Sequence, residues 1–188
     1  VLSLVFVTFI FGEETLWKEL NREVADLYRK GKYQEAVEVA KRAVEVAEKT
    51  FGPDHLRVAI SLNNLATLYR LQGRYSEAES LYRRSLNIKE RVFGSNHPKV
   101  ATTLNNLAGL YRAQSDYKKA EPLYERALSI REQTLPSRHP DLGQSLNNLA
   151  LLYKMQGKYG EAELLYKRAL IVWEEALELI SIYVTSLM

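Results

Sequence analysis

The chain has no cysteine. A disulfide framework, a thiolate nucleophile and a cysteine metal site are excluded, and cysteine usage carries no information about compartment. Proline and glycine are scarce, 5 and 9 in 188 residues, and most of them fall at regular intervals. With so few breakers and so much Ala, Leu, Glu, Lys and Arg, the composition favours helix. Charge of one sign is also missing: 26 basic against 23 acidic residues leave a net +3, too balanced to demand a nucleic-acid partner. The most apolar stretch, Val1–Phe11, is too short to span a bilayer as a helix and has no basic flank of the secretory kind. Three readings stay open for it: a packing segment, the stub of an export or anchor sequence, or an artificial addition. No stable membrane span is expected, and a cytoplasmic location is the expectation.

What is present is a repeat. Leu-Asn-Asn-Leu-Ala stands at Leu62–Ala66, Leu104–Ala108 and Leu146–Ala150, each copy 42 residues after the last. Tyr69, Tyr111 and Tyr153 keep the spacing, as do Tyr75, Tyr117 and Tyr159, then Ala78, Ala120 and Ala162, then Tyr82, Tyr124 and Tyr166. A fainter copy with Tyr28, Gly31, Tyr33 and Ala36 precedes them. Matching its Tyr28 to Tyr69 puts Glu23 where the later copies have the second Asn. Periodicity on this scale means stacked supersecondary units. The organisation expected is an apolar segment over residues 1–12, an array over 13–180 (about 13–52, 53–94, 95–136 and 137–180), and an apolar tail or helix extension over 181–188.

Each unit reads as two helices separated by a glycine turn such as Gln72-Gly73-Arg74. Linkers such as Phe93-Gly94-Ser95-Asn96-His97-Pro98 divide the units, with Pro98 and Pro140 suited to helix starts. The expected helices are Glu14–Arg29, Tyr33–Lys49, Arg57–Leu71, Tyr75–Val92, Lys99–Ala113, Tyr117–Gln133, Asp141–Met155 and Tyr159–Leu179, in an all-α fold. A helix turns about 100° per residue, so Leu62, Leu65, Ala66 and Tyr69 share one face while Asn63, Asn64, Thr67 and Arg70 share another. Ala66, Ala78, Ala108, Ala120, Ala150 and Ala162 are expected at close helix crossings, and the polar face is left free in unit after unit.

The pattern Leu-x-x-Leu-Ala-x-x-Tyr-x-x-x-Gly-x-Tyr-x-x-Ala-x-x-x-Tyr-x-x-Ala resembles the tetratricopeptide motif. The 42-residue period and the linker from Phe93 to Ala101 resemble the kinesin-light-chain type of that family, which is also found in many bacterial proteins. The resemblance covers nearly the whole chain apart from its ends. It implies a right-handed superhelical solenoid of about four helix-turn-helix repeats whose first helices line a concave groove for an extended or helical peptide. It also implies that Asn64, Asn106 and Asn148 meet the peptide backbone, since Asn offers both an acceptor and two donors. Asn63, Asn105 and Asn147 lie beside them, with an inter-repeat hydrogen bond as their alternative role. Arg70, Arg112 and Lys154 recur near the expected rim and would favour a ligand carrying acidic groups, if they do not simply complement a helix end. The basic groups that kinesin light chains place one turn before the Asn are replaced here by Ile60, Thr102 and Gln144, so their cargo preference is not expected to transfer.

Chemistry is absent by comparison. There is no phosphate-binding glycine loop, and no catalytic residue, cofactor or metal is expected. His55, His97 and His139 occupy one linker position in successive units, too far apart to share a metal, and are expected to shape helix starts. His139, Asp141 and Ser145 are neighbours in sequence, but a triad is defined by spatial geometry and none is expected here. Glu174-Glu175 is read as a solvated helix face. RNA binding is disfavoured, because the polar face carries no stacking aromatics and no dense basic stripe. The leading expectation is a protein- or peptide-binding scaffold. The alternative is a self-assembling unit, a homodimer through apolar ends that include Trp173, Leu177, Ile180 and Tyr183.

Overall fold

The computed structural model describes the backbone of residues 2–186 and the side chains of residues 12–179. Packing of Val1–Phe11, and of the side chains of Ile180, Ile182, Tyr183 and Val184, lies outside the described residues. Eight helices and no strand occur among the described residues: α1 (Leu2–Arg29), α2 (Tyr33–Phe51), α3 (Leu56–Leu71), α4 (Tyr75–Phe93), α5 (Pro98–Ala113), α6 (Tyr117–Thr134), α7 (Pro140–Met155) and α8 (Tyr159–Ser186). Interior boundaries fall within two residues of the expected ones. The two terminal helices are longer, because nothing in the apolar extensions breaks them: α1 begins at Leu2 and α8 ends at Ser186.

The chain divides into two compact units, Val1–Val92 and Phe93–Met188, each of two hairpins. In the first, α1 packs on α2 and α2 on α3; in the second, α5 packs on α6, α6 on α7 and α7 on α8. The six crossing alanines are buried in full or nearly so: Ala66, Ala78, Ala108, Ala120 and Ala150 at 0% and Ala162 at 3% exposed. Small side chains here let the backbones of paired helices approach, and Leu62, Tyr82, Leu104, Tyr124 and Leu146 fill the layers between them.

Turns and caps repeat as the sequence does. Gly31, Gly73 and Gly157 close the hairpins at positive φ, which glycine adopts without steric cost. The third hairpin instead uses Ser115, at φ 60°. His55, His97 and His139 are the residues before α3, α5 and α7, and each accepts at Nδ1 from the backbone N–H two residues on, at 3.1, 3.1 and 3.2 Å. Each thus satisfies an orphan donor at a helix start, the linker-shaping role the sequence suggests. Phe51 and Phe93 stack on His55 and His97 and hold those rings in place.

The turns also fix the register of the first repeat. Lys32 N–H donates to Leu27 C=O just as Arg74 N–H donates to Tyr69 C=O, and Gly31 pairs with Tyr28 as Gly73 does with Arg70. Leu27 is therefore the counterpart of Tyr69, and Tyr28 that of Arg70. The 42-residue spacing is strict from the start. Asn21 and Arg22, rather than Glu23, stand at the Asn63 and Asn64 positions.

Candidate functional site

The polar edge of the first helices is where amides meet. In the first unit Asn64 on α3 donates through Nδ2 to Asn21 Oδ1 on α1, at 3.1 Å. Asn21 Nδ2 is taken by the Trp17 carbonyl one turn earlier, at 2.8 Å, which leaves its oxygen free to accept. A cleft of about 240 Å³ opens at this pair, lined by Asn21, Val24, Ala25, Tyr28, Asn64, Thr67 and Leu68. Its floor is apolar and its side carries two amides. Thr67 joins it with its hydroxyl bonded to Asn63 C=O (2.9 Å) and Tyr82 Oη (2.8 Å). Burial raises the Tyr82 phenol above its ordinary range, and the bond to Thr67 partly offsets this. Arg70 is half-buried at the end of α3, and its Nε is buried without a hydrogen-bond partner.

The second unit builds the same edge differently. Asn148 on α7 donates to Asn105 Oδ1 on α5, at 3.5 Å. Asn105 is not exposed as a groove residue: it is 7% accessible, and its Nδ2 donates to Ser145 Oγ at 2.8 Å. The correction has a physical reason. A buried amide needs fixed partners, so this side chain takes the inter-repeat bond offered as its alternative role. Asn63, Asn106, Asn147 and Asn148 are half-buried. Arg112 is also half-buried, with Nε donating to Tyr124 Oη at 3.4 Å and Nη1 reaching Met155 Sδ at 3.8 Å. Lys154 is exposed. Below it Tyr153 donates to Glu125 at 3.0 Å, and burial followed by that carboxylate pushes its phenol up to about 12. Ile60, Thr102 and Gln144 are all exposed, one turn before the second Asn.

Sequence reasoning missed the group behind Asn105. Arg131 on α6 is 2% exposed and donates through Nη1 to Asp141 C=O (2.6 Å) and Ser145 Oγ (2.8 Å), and through Nη2 to Thr102 Oγ1 (3.4 Å). Asp141 Oδ2 is 3.5 Å away, and burial pulls the guanidinium below its usual value despite that carboxylate. No sequence signal marks it, since its column reads Ala47, Lys89, Arg131, Trp173. The same contacts dispose of a triad. His139 Nδ1 caps α7, and Ser145 is fully buried, its oxygen held by Arg131 and Asn105. Among the described residues no cluster of His, Cys, Asp or Glu could hold a metal ion, and no helix is long and apolar enough to cross a membrane.

The tetratricopeptide repeat family model matches residues 19–91, 81–133 and 99–175. No curated protein matches. Among solved structures the chain is similar to BtubC (BKLC) from P. vanneervenii, with 27% identity over 88% of this chain and 66% of that one and a TM-score of 0.76. It is also similar to two structures of a putative kinesin light chain with nearly identical TPR-like repeats from Podosopora anserina. These show 26% and 27% identity over 86% and 85% of this chain and 76% and 75% of theirs, with TM-scores of 0.70 and 0.66.

Proposed function

We propose that this chain, which belongs to the tetratricopeptide repeat family and is thus a protein-interaction scaffold, binds an extended or helical peptide segment of a partner at the amide-bearing edge that the first helices of each unit carry. Scaffolds of this family are typically not enzymes. The observation that carries the reading is the Asn21–Asn64 pair beside an apolar cleft. An amide offering donor and acceptor at the lip of an apolar hollow suits a peptide, whose backbone needs both and whose side chains need burial. In the second unit Asn148, Asn106, Arg112 and Lys154 supply the corresponding edge, and the two cations favour acidic residues in the ligand.

The test starts from peptides selected on the intact chain from a random library. Their affinity is then measured for wild type and for a variant carrying Asn64→Ala, Asn106→Ala and Asn148→Ala, after matching thermal unfolding. Each lost hydrogen bond is worth about 0.5–1.5 kcal/mol, so a peptide seated in the second unit, which loses Asn106 and Asn148, is expected to bind at least about fivefold more weakly. Equal binding by the variant removes the Asn residues from the site.

A second reading is that α8 self-associates with the same helix of a second copy. Leu170, Trp173 and Leu177 fall on one face of α8 and are 54%, 36% and 65% exposed. At the positions of Leu170 and Trp173, α2 carries Val44 and Ala47, which pack with Val58, Ala59 and Leu62 of α3. An apolar strip of this size is a sticky surface in water. Sedimentation across a dilution series is the check: dimer in wild type and monomer in a Leu170→Glu, Leu177→Glu variant. A wild-type monomer at tens of micromolar ends this reading.

A further inference from the structure

A chain of hydrogen bonds runs through the second unit from its interior to the edge just described. Arg131 has only donors, so Ser145 Oγ must accept from it at 2.8 Å. The same oxygen accepts from Asn105 Nδ2 at 2.8 Å. With one lone pair of Ser145 Oγ taken by Arg131 and the other by Asn105, the Asn105 amide presents its nitrogen to Ser145 and its oxygen to Asn148, both on α7. Asn148 Nδ2 then donates to that oxygen at 3.5 Å. The outcome at the edge is a defined polarity for Asn148. One N–H is engaged inward, while Oδ1 and the other N–H are left for a ligand.

We infer that Arg131 is a positioning residue for Asn148, acting through Ser145 and Asn105 to hold that amide with its oxygen as the acceptor offered to a peptide N–H. The functional part of this statement rests on the peptide-groove reading; the relay itself does not. A buried cation held at one carboxylate 3.5 Å away, with Nε left without a partner, is an expensive way to fill space, and well-packed apolar groups are often at least as stable. Orientation of a polar network is what such a group adds. The first unit supplies an internal control. Asn64 donates to Asn21 in the same sense, but Asn21 is fixed by the Trp17 carbonyl of its own helix and no cation takes part.

The test is proton exchange of the asparagine side-chain amides by NMR in the full ¹⁵N-labelled chain without ligand. In Arg131→Met, exchange at Asn105 and Asn148 rises about 3–10-fold, the protection one hydrogen bond of ordinary net strength provides, while Asn64 and Asn21 are unchanged. Arg131→Lys restores much of the protection, because one ammonium donor can still meet Ser145. Ser145→Ala cuts the relay with the cation in place and reproduces the Met result, so the inference stays testable even if Arg131→Met does not fold. Unchanged Asn148 exchange in both variants overturns it, as does an equal rise at Asn64, which would mean general loosening. If Asn148 exchange rises and selected peptides bind Arg131→Met as tightly as wild type, the relay stands and the groove reading fails.

Discussion

In the first unit the space among α1, α2 and α3 is filled by an indole; in the second, the space among α5, α6 and α7 is filled by a guanidinium. Trp17 enters from the first helix of its hairpin, lies in a cluster with Ala47, and donates Nε1–H to Ser61 Oγ at 2.9 Å. Arg131 enters from the second helix, opposite the column that holds Ala101, and donates to Ser145 Oγ at 2.8 Å. Ser61 and Ser145 are the same repeat position, 84 residues apart. The large and small partners have changed sides, and the acceptor has stayed. The charges moved with them. In the first unit Arg57 sits over the Trp17 and Phe51 rings and pairs with Glu14 at 2.5 Å, whereas in the second Asp141 faces Arg131. The lesson is that the repeat conserves a volume and one hydrogen-bond acceptor, while the residue that fills the slot is free to come from either helix.

That equivalence breaks first at Trp17. Trp17→Ala should cost about 3–5 kcal/mol, since the neighbours on three helices cannot collapse into the space of an indole. Denaturant unfolding measures it, and a loss under 1 kcal/mol would mean that the slot is not closed. The matching change in the second unit, Arg131→Met, keeps volume and removes the charge. It should leave stability unchanged or raise it, by up to about 4 kcal/mol, because desolvating the guanidinium is no longer required. A large destabilisation would show that the cation contributes more than its burial costs.

A sharper form of the same exchange lies at α7 and α8. Here Trp173 comes from the second helix and its facing position is Gly143, where an added Cβ would meet Trp173 Nε1 at 2.5 Å. Gly143→Ala should destabilise by about 1–3 kcal/mol through overpacking, although Ala is the better helix former. The double variant Gly143→Ala, Trp173→Leu should recover most of that loss.

Much of this was legible in the sequence, and the failures have identifiable causes. Helix limits, turn glycines and crossing alanines follow from a strict period, because each is a local requirement met again in every repeat. The histidines were legible as helix-start residues for the same reason. The first repeat misled because Tyr28 lies one position from the tyrosine column, so matching like with like shifts the frame that the Gly31 turn sets. Asn105 looked like its neighbours because burial depends on what stands behind a side chain. What stands behind it is Arg131, in a column with no shared chemistry.

A smaller effect comes from protonation within the first unit. Burial, then Arg57, holds His55 below the ordinary histidine value of 6.5. The folded state therefore binds fewer protons than the unfolded chain, and stability rises with pH in that range. The contribution is complete above about 6.5 and is lost as pH falls through the folded value, as protonation of Nδ1 removes the acceptor that caps α3. His55→Asn, an N-cap that does not titrate, should flatten unfolding midpoints between about pH 7 and 5. An unaltered slope would place the titration elsewhere.

The smallest expected effect contrasts the two turns of the second unit. Gly157 and Ser115 occupy the same position after Gln156 and Gln114, both at positive φ, and both give the same pattern of turn hydrogen bonds. Glycine adopts that backbone freely, whereas a side chain there brings Cβ against the neighbouring carbonyl, at a cost of about 1 kcal/mol. Nothing in the turn compensates the serine through its hydroxyl: the following α6 is capped by Asp116, whose carboxylate accepts from Lys119 N–H at 3.3 Å. Ser115→Gly should therefore stabilise the chain, though by only about 0.5 kcal/mol, because the extra freedom glycine gives the unfolded state offsets part of the relieved strain. Gly157→Ser should lose a similar amount by the same reasoning. Paired unfolding curves decide it. If Ser115→Gly destabilises while Gly157→Ser is neutral, the two turns are not equivalent and the strict 42-residue register does not extend to their energetics.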